Sequence, residues 1–146
     1  MRKLILALVI NIFVNLNYTF AQTITMPSSL TADTTNFVLL SSSGTAPSIN
    51  GFTETDLLAT IVASAGTLIV TTTTGLEQAS GYCDYTADNS SEPTNCKLGA
   101  SDHPEIGFIG TQAEINTALA TLSFKGDGST GSPTVTLSIT PAGNNY

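Results

Sequence analysis

The chain predicts an all-β domain, and three observations carry that expectation. Thr, Ser, Gly, Val and Ile are abundant, whereas Lys and Arg together number four and Trp is absent. Thr and Val suit a pleated, half-buried surface, and Gly and Ser suit the turns that join strands. Several short runs also alternate apolar and hydroxyl side chains with the period of two that a strand requires.

Thr23–Met26 reads as a first short strand, stopped by Pro27. Phe37–Leu40 is a four-residue apolar run, too short for a helix and expected to be a buried strand. Gly44 to Gly51 reads as turn, with Pro47 and Asn50-Gly51 as breakers. Leu57–Ser64 then places Leu57, Ala59, Ile61 and Ala63 on one face. Ala65-Gly66 separates it from Thr67–Thr73, where Leu68 and Val70 alternate with Thr67, Ile69 and Thr71. Two alternating runs around small residues predict a β-hairpin.

Residues 75–104 are irregular and polar, with Gly75, Gly81, Asn89, Pro93, Gly99 and Pro104 scattered through them. A long polar insertion in a small domain is usually functional or loosely ordered. Strand pattern resumes at Glu105–Ile109, with Ile106 and Phe108 on one face. Thr111-Gln112-Ala113-Glu114 is a capping box, in which the Thr hydroxyl and the Glu carboxylate reciprocally satisfy backbone N–H groups. It predicts a helix of two or three turns with Ile115, Ala118 and Leu119 on its apolar face. Leu122–Lys125 and the alternating Val135, Leu137 and Ile139 give two more strands, joined by the loop from Gly126 to Pro133.

The N-terminus sets the expected compartment. Arg2 and Lys3 precede the apolar run Leu4 to Val14, and Thr19 and Ala21 supply small residues before Gln22. This is the layout of a secretory signal peptide over residues 1–21. The run is about half the roughly 20 residues a spanning helix needs. Residues 22–140 are then one domain, followed by a linker-like tail at 141–146 rich in Gly and Asn. The chain is expected to be secreted, at the cell surface or periplasmic, with no membrane insertion after cleavage.

With the signal removed, Lys97 and Lys125 stand against eleven acids, a net charge of −9. Such a surface repels phosphate backbones and anionic lipid, which excludes nucleic acid as a partner. Cys83 and Cys96 lie in a polar stretch of an exported chain, where thiols pair, so they are expected to form a disulfide.

Catalytic groups are sparse. His103, between Asp102 and Pro104, is the only imidazole and reads as an exposed loop residue. There is no Gly-x-Ser-x-Gly and no phosphate-binding glycine loop. The carboxylate pairs Glu54/Asp56 and Asp102/Glu105 lack the aromatic lining of a sugar-cleaving cleft: ten aromatics serve the chain, and Phe13, Tyr18 and Phe20 lie in the signal. The expectation is no enzyme and no cofactor. Calcium is the metal these acids would suit, through Glu54 and Asp56, with Asp84, Asp88, Glu92 and Asp102 in the long loop. Asn89-Ser90-Ser91 is a glycosylation sequon, relevant in a eukaryote.

This succession of residues resembles one family. Phe52 to Leu58, Ala63-Ser-Ala-Gly-Thr-Leu68 and Gly75-Leu76 resemble the first half of a cadherin-like repeat of large bacterial surface proteins, related to chondroitin-sulfate-proteoglycan repeats. Ile106-Gly-Phe108, Gly110-Thr111, Ile115-Asn116, Ala118-Leu119-Ala120-Thr-Leu122, Phe124 and Thr134–Thr140 resemble the second half. The resemblance implies a Greek-key β-sandwich, with one short helix between two late strands. It implies a role in extracellular adhesion or as a structural spacer, with other extracellular domains or cell-surface glycans or proteins as partners. Cys83 and Cys96 are outside the pattern, and Glu54 stands where a cadherin carries the first Asp of its calcium motif. The rival reading is a carbohydrate- or protein-binding module using loop 75–104, where Tyr82 and Tyr85 flank Cys83.

Overall fold

The computed structural model describes residues 21–79, 104–128 and 132–143. In chain order it forms β1 (Thr23–Thr25), β2 (Val38–Leu39), a 3-10 turn (Leu40–Ser43), β3 (Ser48–Asn50), β4 (Leu57–Ala63), β5 (Thr67–Ile69) and β6 (Glu77–Gln78). There follow β7 (Glu105–Gly110), α1 (Gln112–Leu119), β8 (Ser123–Lys125) and β9 (Val135–Pro141). The described residues are thus mostly β, with one short helix between late strands. Every pairing among the described residues is antiparallel. β1 pairs with β3, β2-β8-β5 make a three-stranded sheet, and β6-β7-β4-β9 make a four-stranded one.

The period-two pattern of β4 explains its central place. Leu57, Ala59, Ile61 and Ala63 are all buried, while Val62 on the other face remains 39% exposed. Across the sheet Ile61 faces Ile106 on β7 and Leu137 on β9. The three-stranded sheet contributes Leu68 and Phe124 to the same core, and α1 contributes Ile115, Ala118 and Leu119. Burying such side chains contributes about 1.5–3 kcal/mol each.

The predicted hairpin between β4 and β5 does not form. β4 pairs with β7 and β9, whereas β5 pairs with β8, so the turn carries the chain from one sheet to the other. The physical reason is that Leu68 reaches the core only from the second sheet, where it is fully buried opposite Phe124. Gly66 makes the crossing at φ +81°: a Cβ there would lie 2.5 Å from the Lys125 carbonyl oxygen and 2.8 Å from the Phe124 ring.

Three smaller expectations also change. Residues 48–50, read as turn, form β3, because Ile49 gains a strand partner in β1 and a second hydrogen-bonding neighbour in α1. The 37–40 run gives only two strand residues; Leu39 is 46% exposed, and Leu40 is buried from within the 3-10 turn. Glu77–Gln78, at the start of the stretch read as irregular, adds an edge strand to β7. The capping box and the buried face of α1 are as predicted.

Candidate functional site

The expected metal pair lies in the segment that leads into β4. The Glu54 carboxylate accepts from the Thr53 backbone N–H (3.0 Å), and the Asp56 carboxylate accepts from the Thr55 hydroxyl (3.4 Å). Both acids are therefore engaged by their own neighbours, and the Asp56 carbonyl accepts from the Ala142 N–H (2.8 Å). No group of three His, Cys, Asp or Glu suited to a metal ion occurs among the described residues. Cys83, Cys96, His103, the acids Asp84, Asp88, Glu92 and Asp102, Tyr82, Tyr85 and the Asn89 sequon lie outside the described residues.

Two other carboxylates organise the surface, and both are structural. Asp33 accepts from the backbone N–H groups of Thr35 (2.7 Å) and Asn36 (3.2 Å), the Thr35 hydroxyl and the Asn36 amide. Those donors, the Thr35 N–H foremost, hold its carboxyl well below the usual range. Its carbonyl accepts from Gly126 N, which ties the segment to the end of β8. Glu114 accepts from the Thr111 N–H and hydroxyl, both at 2.8 Å, and its pKa is lowered for that reason. Its carboxylate is roofed by glycines. A Cβ at Gly75 would overlap it, and a Cβ at Gly110 would lie 3.1 Å from Oε2 and 2.6 Å from Leu76 Cδ2.

A cleft of about 660 Å³ opens between residues 26–32, β8 and the approach to β9. Met26, Leu30, Leu40, Phe124 and Val135 form apolar walls, Ser29 and Thr134 add hydroxyls, and none of the described lining residues is titratable. The size and lining suit a small uncharged molecule. Sequence reading missed this cleft because Pro27 and the serines after it register only as a strand stop; nothing in their spacing signals a wall. On the far side of β8, Lys125 Nζ sits 4.6 Å from the Phe37 ring centre.

The four-stranded sheet has two distinct poles. At one, Leu57 lies beside Gly110 and Pro141, and the incoming chain packs on Gly51, whose Cβ would be 2.7 Å from the Ala21 carbonyl oxygen. At the other, Ala63 donates to the Pro104 carbonyl (2.7 Å) and lies beside Val135. Seven residues of β4 separate these poles by about 20 Å. Ala79 N donates to the Gly107 carbonyl, level with Thr60 at mid-sheet, and β6 runs toward the Ala63 pole, where Pro104 stands.

Among the described residues no helix is long and apolar enough to cross a membrane. No family model, curated protein or solved structure matches the chain.

Proposed function

We propose that the chain is an exported extracellular or cell-surface module, a β-sandwich of cadherin-like type, that acts in adhesion. The observation that carries this reading is where the described chain enters and leaves the fold. Ala21 packs at Gly51 and Ala142 is hydrogen-bonded to Asp56. Phe52 N, next to Gly51, donates to Gln112 Oε1 just beyond Gly110, and Gly110 lies beside Leu57, the neighbour of Asp56, so both points belong to the Leu57 pole. An in-line spacer sends its ends out at opposite poles. Ends gathered at one pole favour a tethered head that presents the other pole, and so favour adhesion over the spacer role. The acidic surface and the signal-like N-terminus support an extracellular setting.

A second reading, a carbohydrate- or protein-binding module using loop 75–104, is favoured by a separate observation. Pro104, where that loop rejoins β7, stands at the presented pole, and Ala79 lies at mid-sheet beside Gly107 at the end of a strand that runs toward that pole. One experiment tests both readings. Chain expressed from its own full sequence is attached to beads through its C-terminus and offered glycan and surface-protein panels. Retention on intact cells or protein that survives Tyr82→Ala and Tyr85→Ala supports adhesion, and glycan or protein retention lost on either substitution supports the binding module. Beads no stickier than those coated with an unrelated acidic protein would refute both.

A further inference from the structure

The backbone polarity of β9 can be read from its two ends. Thr134 N donates to Ser64 Oγ, and Ser64 N donates to the Thr134 carbonyl, each at 2.9 Å. At the other end Ala142 N donates to the Asp56 carbonyl. Backbone groups alternate between the two edges of an antiparallel strand, so the even positions face β4 and the odd positions face away. β9 is an edge strand with β4 as its only partner among the described residues. The outward N–H and C=O groups of Val135, Leu137 and Ile139 are therefore open there.

Two further features mark this edge. The flanking outward positions are Pro133 and Pro141, which have no N–H to leave open. From Gly128 to Tyr146 there is no charged residue, so the edge lacks the lysine or acid that commonly guards one. Thr136, Ser138 and Thr140 on the outer face are exposed.

We propose that β9 pairs antiparallel with β9 of a second copy, about a twofold axis at Leu137. The prolines select this register. Val135 then faces Ile139, Leu137 faces its own copy, and Pro133 faces Pro141. Each facing pair of open residues exchanges two backbone hydrogen bonds. Sliding by two residues sets a proline against an open residue and forfeits a donor. The contact is isologous, as a twofold dimer requires. A second copy fits better than a charged partner strand, because nothing on the edge complements charge and two copies bring no like charges together there. Each whole chain carries −7, so added salt should strengthen association by screening the remainder.

The test is sedimentation equilibrium on the chain expressed from its own full sequence, with a pair of charge variants. In this register Thr136 faces Ser138 of the second copy. The T136K/S138K and T136E/S138E variants alter exposed positions only, and a thermal melt of each confirms folding. The parent should show a concentration-dependent dimer. Each variant alone should lose at least roughly tenfold in association constant, and an equal mixture should restore it. The lysine variant is the sharper arm, because it lowers the overall negative charge and would otherwise favour association. A parent that stays monomeric at its highest soluble concentration in high salt overturns the proposal. So does a dimer that survives both variants, or a mixture that fails to recover it.

Discussion

The side-chain amide of Asn116 makes both hydrogen bonds of a strand neighbour with Ile49. Ile49 N donates to Asn116 Oδ1 (2.8 Å), and Asn116 Nδ2 donates to the Ile49 carbonyl (2.9 Å). One turn earlier, Gln112 Oε1 accepts from the Phe52 N–H (2.9 Å). The polar flank of α1 thus closes the edge of β3 that β1 leaves open, while its apolar flank enters the core.

Asn116→Ala should therefore cost about 2 kcal/mol or more, because Ile49 loses a donor and an acceptor partner at a partly buried site. Asn116→Asp keeps the acceptor and loses the Nδ2 donor, turning a carboxylate oxygen toward the Ile49 carbonyl. Its melting temperature should fall further behind the parent at pH 7 than at pH 4. Equal deficits at both pH values would show that the carboxylate turns out to solvent.

Gly75 and Glu114 should be energetically coupled. Gly75→Ala meets two penalties, the positive φ of +83° and overlap with the Glu114 carboxylate. Thr111→Ala should cost roughly 1 kcal/mol as a lost N-cap. Glu114→Ala should be partly redundant with it, since both belong to one box. In the Glu114→Ala background the overlap disappears and only the φ penalty remains, so Gly75→Ala should cost less there. A double-mutant cycle by thermal melts reads the difference, and strict additivity would place the Gly75 turn clear of the carboxylate.

Thr67 offers the opposite sign. Its Oγ1 is buried with no hydrogen-bond partner among the described residues. Thr67→Val keeps the shape and removes the orphan hydroxyl, so it should raise stability by about 1 kcal/mol. A loss of stability in chemical denaturation would mean that a bound water serves that hydroxyl.

Acid should weaken the fold through two identifiable carboxylates. Asp33 and Glu114 both have pKa values lowered by hydrogen bonds to their ionised forms. A lowered folded-state pKa means the unfolded chain takes up protons first as pH drops. The stabilisation is complete above the ordinary carboxylate range and is lost as pH falls through the folded-state values. Melting temperature should therefore decline below about pH 5. Glu114→Gln, which keeps an acceptor and cannot titrate, should show a shallower decline. The same slope in both proteins would remove Glu114 from this account.

These sites divide by how far apart their parts lie in sequence. Thr111 and Glu114 are three residues apart, and their geometry follows from any helix start, so the box was legible. The alternation of Leu57, Ala59, Ile61 and Ala63 likewise identified the buried face of β4. The sheet exchange at Gly66 was not legible, because a turn between two alternating runs looks the same whether the second run pairs back or crosses over. Asn116 and Ile49 are 67 residues apart, and an Asn on a helix carries no mark of the strand it will complete. The Gly75 roof over Glu114 is hidden for the same reason: only the folded chain brings a turn glycine to a cap.

Calcium should bind weakly if at all through Glu54 and Asp56. The Glu54 carboxylate is turned back on the Thr53 N–H, and that of Asp56 is held by the Thr55 hydroxyl, so an ion must displace both contacts. Calcium takes 6–8 oxygens, and no third acid joins these two among the described residues. Carbonyls and water would have to supply the rest, but the Asp56 carbonyl is occupied by Ala142. An incomplete set of this kind belongs at or beyond the weak end of extracellular sites, a dissociation constant of about 10⁻⁴–10⁻³ M. Ligand at about 100 times its dissociation constant stabilises a fold by about 2.7 kcal/mol, so melting temperature is a sensitive readout. No rise should appear at micromolar calcium. A rise of several degrees there, abolished by Asp56→Ala, would show that the two carboxylates swing out and recruit a full coordination shell.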